Sequence, residues 1–178
     1  SRRLVDSIVS ERALREIYLR GFEIAVKEGK ARSVMTTYNP VNGIWTAGSY
    51  DLCTTILRKE WGFDGIVMTD WWAEANNEGE KSTRENKAPM VAAQNDIYMC
   101  VSNSELNPEN DNVKEKLESG EITRSDLQRN AKNILSFIMN LTSLSTNEGP
   151  EYEDLFNFNI DLLTGNQLTL KDLFNEGT

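Results

Sequence analysis

Asp70 stands directly before Trp71 and Trp72, at the end of the short apolar run Ile66-Val67-Met68-Thr69. A carboxylate beside two large aromatic faces suits a carbohydrate. The C–H faces of a sugar pack on aromatic rings while its hydroxyls bond to carboxylates. Tyr38 ends a second β-rich run, Ser33-Val34-Met35-Thr36-Thr37-Tyr38. In parallel βα folds the functional groups gather at the carboxyl ends of strands, where these two residues are expected to stand. The plain alternative is that Asp70 caps a following helix and the tryptophans fill a core. Spacing alone leaves both readings open.

Composition narrows the chemistry. The 178 residues hold 19 Lys+Arg against 28 Asp+Glu, a net charge of -9, and no histidine. Without histidine neither a Ser-His-Asp nor a Cys-His site can be complete, and no His-based zinc site can form. Two cysteines, Cys53 and Cys100, cannot build a four-thiolate centre. No metal and no cofactor are therefore expected. The acidic balance argues against nucleic acid and against an anionic membrane surface as partners. Carboxylates remain as the main acid, base and nucleophile candidates.

The elements that must position these groups alternate along the chain. A helix is expected from Ser10, a good N-cap, to a stop at Gly29, and another from about Ser49 to Trp61. Strands are expected at Ser33–Tyr38, Ile66–Thr69 and Ile97–Val101, and a polar turn at Asn39–Gly43. Asn76 to Lys87 reads as a long loop, followed by a short helix from Ala88 to Gln94. Two further helices follow, Val113–Glu118 and Arg124–Leu141, the second capped by Thr123 with Asp126 three residues on. Helix, strand, helix, strand with short links is the pattern of βα units around a parallel sheet. Cys53 and Cys100 read as small buried apolar residues. Residues 142–153 have the composition of a linker, and 154–178 form a tail of uncertain fold.

Three segments carry a resemblance. Ser10-Glu11-Arg12-Ala13-Leu14-Arg15-Glu16-Ile17-Tyr18-Leu19 is similar to a helix of glycoside hydrolase family 3. So is the stretch Ser33 to Gly43, and so is Leu57-Arg58-Lys59-Glu60-Trp61-Gly62-Phe63-Asp64-Gly65 continuing to Trp71. The resemblance covers about residues 5 to 141, and the Asp-Trp pair fits the β-glucosidase branch. It implies an α/β fold, the second half of a (β/α)8 TIM-type barrel, over residues 1–141, with the C-terminal tail separate. It implies Asp70 as catalytic nucleophile, Tyr38 as the tyrosine beside it, and Met35 and Trp71 as residues lining the sugar subsites. A retaining mechanism of this kind places a second carboxyl ~5–5.5 Å from the nucleophile as acid/base.

The resemblance also implies what is missing. The family's Lys-His pair and hydroxyl-binding carboxylate lie upstream of the matched residues, and its acid/base glutamate comes from a separate sandwich domain. Glu74 and Glu78 are the nearest acids to Asp70, and both read more simply as solvated loop charges. Asp96 reads as a structural hydrogen-bonding residue. The expected partners are a β-glucoside or oligosaccharide, the missing barrel half and the sandwich domain, with self-association through exposed strand edges. The first residue is not Met and no signal peptide is present, so a piece cut from a longer protein is expected, from the bacterial cytoplasm or secreted. Three readings stay open: a piece of a β-glucosidase or β-xylosidase, inactive by itself; a non-catalytic sugar-binding module; and a structural fragment.

Overall fold

The computed structural model describes residues 5–99 and 106–145, with side chains through residue 138. Cys100, Val101 and the tail lie outside the described residues.

Ser10 starts the first helix as expected: its hydroxyl accepts the Ala13 amide at 3.2 Å. Helix α1, Glu11–Ala13, passes into a wider π-helical stretch, Leu14–Tyr18, and then into α2, Arg20–Lys27. Strand β1, Ser33–Met35, follows. The expected polar turn is a small hairpin of β2, Pro40–Val41, and β3, Ile44–Trp45. Its corner needs two residues with positive φ, and Asn42 (51°) and Gly43 (84°) supply them. The Asn42 side chain also binds both backbone groups of Val9 at 2.9 Å, tying the N-terminal segment to the hairpin.

The Asp51–Glu60 helix has π geometry, and Ser49 caps it through its hydroxyl and carbonyl. Strand β4, Ile66–Trp71, comes next. Gly65 opens it because a Cβ there would lie 2.0 Å from the Arg32 carbonyl oxygen. Helix α3, Ala88–Ala92, carries Pro89 in its first turn, where a missing N–H costs nothing. Strand β5, Ile97–Met99, then leads to α4, Val113–Glu118, and α5, Arg124–Ser145. α5 runs past its expected end at Leu141.

The three longer strands form a parallel sheet in the order β1-β4-β5. β1 and β4 are each followed by helical crossover chain and a step to the neighbouring strand, the βα pattern of part of a TIM-type barrel. β1 pairs β4 through Ser33↔Ile66, Val34↔Val67 and Met35↔Met68. Behind the sheet, Val26, Cys53, Leu57, Phe63, Val67 and Ala93 form one core cluster. A second, Ala88, Val91, Val113, Ile122 and Leu127, fastens α3 to the last helices. Burial pushes the Cys53 thiol up to about 12, which fits a packing residue.

Candidate active site

β4 carries Asp70 to the carboxyl rim of the sheet as its penultimate residue. The side chain is half-buried, and Oδ1 accepts the Trp71 amide at 2.8 Å. No helix begins between Asp70 and Ala88, so Asp70 is not a helix cap. The tryptophans do not fill a core either: Trp71 is 38% and Trp72 43% exposed. Met35 ends β1 on the neighbouring strand and is 49% exposed. Tyr38 lies beyond the strand rather than at its end, since β1 stops at Met35. β1 and β4 run parallel, and Thr36 donates its amide to the Met68 carbonyl at 2.8 Å. The chain of Tyr38 therefore leaves the sheet from the same rim that bears Asp70. One rim thus collects Met35, Asp70, Trp71 and Trp72, with Tyr38 on the chain just beyond it.

Two features at this rim escaped the sequence reading. Trp72 has φ 55°, a left-handed conformation that a bulky side chain seldom adopts. β4 and β5 also lose register here: Met68 pairs with Ile97 but Trp71 pairs with Met99. Three steps on β4 are matched by two on β5, so β4 carries an extra residue, a bulge, at Thr69–Asp70. No local signal in the sequence announces either feature, because both depend on where β5 lies.

The other acids do different work. The Glu74 carboxylate accepts the Ser82 hydroxyl at 2.5 Å, and Glu78 is exposed in the loop. Asp96 stands at the opposite, amino end of the strands. It accepts Arg58 at 2.5 Å, the Val67 amide at 2.9 Å and Asn133 at 2.8 Å. Burial pushes its carboxyl upward, while Arg58 and these bonds pull the other way. Behind β5, the buried Lys87 pairs with Glu109 at 2.8 Å, and its ammonium stands 4.4 Å from the centre of the Tyr98 ring. Burial and then Asp111 push the Tyr98 phenol upward. Among the described residues no cluster of acids, cysteines or histidines is placed to hold a metal. No described helix is long and apolar enough to cross a membrane.

Residues 4–137 match the family model of the glycosyl hydrolase family 3 N terminal domain. The chain belongs to glycosyl hydrolase family 3. A β-glucosidase of Ruminococcus albus is 56% identical over 151 residues, which is 85% of this chain and 16% of that enzyme. A β-glucosidase structure from Paenibacillus barengoltzii matches 78% of this chain and 16% of its own at 59% identity, with a TM-score of 0.76. β-Glucosidase 3B of Thermotoga neapolitana, solved in complex with glucose, matches 79% of this chain and 19% of its own at 41% identity, with a TM-score of 0.65. This family 3 chain thus spans about one sixth of the length of the Ruminococcus and Paenibacillus enzymes. The family match runs through both strands that deliver Tyr38 and Asp70 to the rim.

Proposed function

We propose that this chain supplies the nucleophile-bearing part of a retaining β-glycosidase of the β-glucosidase type. The observation that carries the reading is Asp70 at the carboxyl rim of a family 3 barrel segment, held beside an open indole and bound only by its neighbour's amide among the described contacts. In this reading a carboxylate oxygen of Asp70 attacks the anomeric carbon. The bond to the leaving oxygen breaks as a second carboxyl donates its proton there. Water, deprotonated by that same group, then attacks the anomeric carbon and frees Asp70. Tyr38, whose chain leaves the sheet from the same rim, is in this reading the tyrosine beside the nucleophile. Met35 and Trp71 present apolar faces to the sugar ring. Neither Glu74, bonded to Ser82, nor Glu78, exposed in the loop, serves as the second carboxyl in this reading. That group, and the residues gripping the sugar hydroxyls, belong to the remaining barrel half and the sandwich domain. The substrate is a terminal, non-reducing β-D-glucosyl residue.

The test is covalent trapping. A 2-deoxy-2-fluoro β-glucoside with an activated leaving group is expected to leave its sugar on the Asp70 peptide in the full-length protein. Labelling of Glu74 or any other carboxylate instead sinks the assignment. The 178-residue chain alone is expected to turn over aryl β-glucosides negligibly, since general acid catalysis is worth about 10²–10⁴-fold and substrate positioning more. Robust turnover by the chain, abolished in Asp70→Ala, would show that these residues already form a complete site.

A further inference from the structure

The bulge places one residue, Met99, between two hydrogen bonds that bracket Asp70. Its amide donates to the Thr69 hydroxyl at 2.9 Å, and its carbonyl accepts the Trp72 amide at 2.5 Å. Thr69 is wholly buried, whereas Asp70 is half-buried and Trp71 and Trp72 are exposed. Thr69 is thus the last anchored residue before the site, and Trp72 is the point where the strand is turned away. A bulge adds a residue that regular pairing does not hold, so its conformation must be fixed by something else. Here a buried side-chain oxygen does this on one side of Asp70. On the other side, the left-handed backbone of Trp72 directs its amide at the same Met99. A strained backbone persists only where its surroundings over-determine it.

We propose that Thr69 is the positioning residue of this site: its hydroxyl, on the Met99 amide, pins the β4 bulge and thereby fixes where Asp70 stands at the rim. This rests on the reading of Asp70 as the nucleophile. A Val side chain has the shape of Thr but no acceptor, whereas Ser keeps the acceptor and loses a methyl. The two substitutions therefore separate the hydroxyl from the volume.

The experiment has two arms. In the 178-residue chain, amide hydrogen exchange is followed at Met99 and at Val67, a buried residue toward the amino end of β4 whose amide is bonded to Asp96. Thr69→Val is expected to speed exchange at Met99 roughly tenfold or more while Val67 stays protected, and Thr69→Ser to keep Met99 slow. Equal protection in Val and wild type overturns the proposal, as does a Ser variant that behaves like Val. If the Val chain does not fold, Ser decides: Met99 protection retained supports the pin, and its loss overturns it. In the full-length protein, Thr69→Val is expected to slow covalent trapping on Asp70 about a hundredfold, with Ser close to wild type. Glucose affinity should stay within about threefold in both, because only the reacting carboxylate has moved. A wild-type protein that traps no sugar on Asp70 defeats the glycosidase reading and leaves the exchange result standing by itself. Trapping that is intact in Thr69→Val defeats the positioning role alone.

Discussion

The two ends of the sheet treat an aspartate in opposite ways. At the amino end, the Asp96 side chain has no exposed surface and is bonded by Arg58, the Val67 amide and Asn133. At the carboxyl rim, Asp70 accepts its neighbour's amide on Oδ1, and among the described residues no hydrogen bond reaches Oδ2. An acid with every direction occupied is structural, since its charge is already committed to a partner. An acid held on one side and open on the other can meet a ligand. The aromatic neighbours follow the same division. Phe63, beside Arg58, is buried in the core, while Trp71 and Trp72 stay open at the rim.

The largest test of this contrast is at the amino end. Asp96→Ala leaves the Arg58 guanidinium, itself nearly buried, without its counter-charge. Breaking a buried pair from one side costs about 3–5 kcal/mol. The loss should appear as a lower urea midpoint for the chain with an unchanged slope. A loss below about 1 kcal/mol, the scale of an exposed pair, would put Asp96 in the same class as the rim acid.

A third aspartate lies between these extremes and predicts an intermediate effect. Asp126 accepts the Thr123 hydroxyl at 2.7 Å and the Thr123 amide at 2.9 Å, and returns its own amide to that hydroxyl at 3.3 Å. This closes the N-terminus of α5. Burial pushes the Asp126 carboxyl up, but the Thr123 bonds and Arg129 outweigh it and hold it below the usual aspartate range. Thr123→Ala is expected to cost about 1 kcal/mol at pH 7. A carboxyl with a depressed folded value stabilises the fold above its unfolded value and stops doing so as pH falls through the folded one. The gap between Thr123→Ala and wild type in urea unfolding should therefore persist at pH 5 and shrink toward pH 2. A gap that widens on acidification would refute the capping role.

The Thr123–Asp126 cap and the bounds of α4 were legible because both are local: three residues of spacing, or one short periodic run, contain the whole signal. The alternation of strand and helix was legible for the same reason, and the family resemblance turned it into part of a barrel. The helices at Leu14–Tyr18 and Asp51–Glu60 were expected in place but not in π geometry, since side-chain periodicity over one or two turns barely distinguishes the two windings. The Pro40–Trp45 hairpin looks like a turn in the sequence because its strands are too short to alternate. The site divides along the same line. Asp70 with its tryptophans is visible as three adjacent letters, and Tyr38 as the end of a β-rich run. The bulge at Thr69–Asp70 and the reversal at Trp72 are not visible, because register is a relation between β4 and a strand almost thirty residues on. The same relation moves Tyr38 off the strand end that its β-rich run suggests: pairing with β4, not β propensity, stops β1 at Met35.

The smallest expected effect is the one that tests the rim most sharply. Asp70→Ala should change the unfolding free energy of the chain by no more than about 0.5 kcal/mol, because it removes no buried contact and no cross-chain bond. Its one described hydrogen bond comes from the next residue, and the Trp71 amide that loses it lies in an exposed residue that water can reach. Nor does Asp70 hold the bulge, whose bonds at Met99 come from Thr69 and Trp72. Removing a carboxylate from an acidic chain relieves some self-repulsion as well, so a slight gain in stability is the favoured sign. The measurement is urea unfolding of Asp70→Ala beside Asp96→Ala in one buffer, with exchange at Met99 as a check on the rim. Near-neutral stability together with complete loss of covalent trapping in the full-length protein is the pattern of a residue kept for chemistry at no structural benefit. A loss of 2 kcal/mol or more would mean that Asp70, like Asp96, is there to hold the sheet, and the contrast between the two ends would collapse.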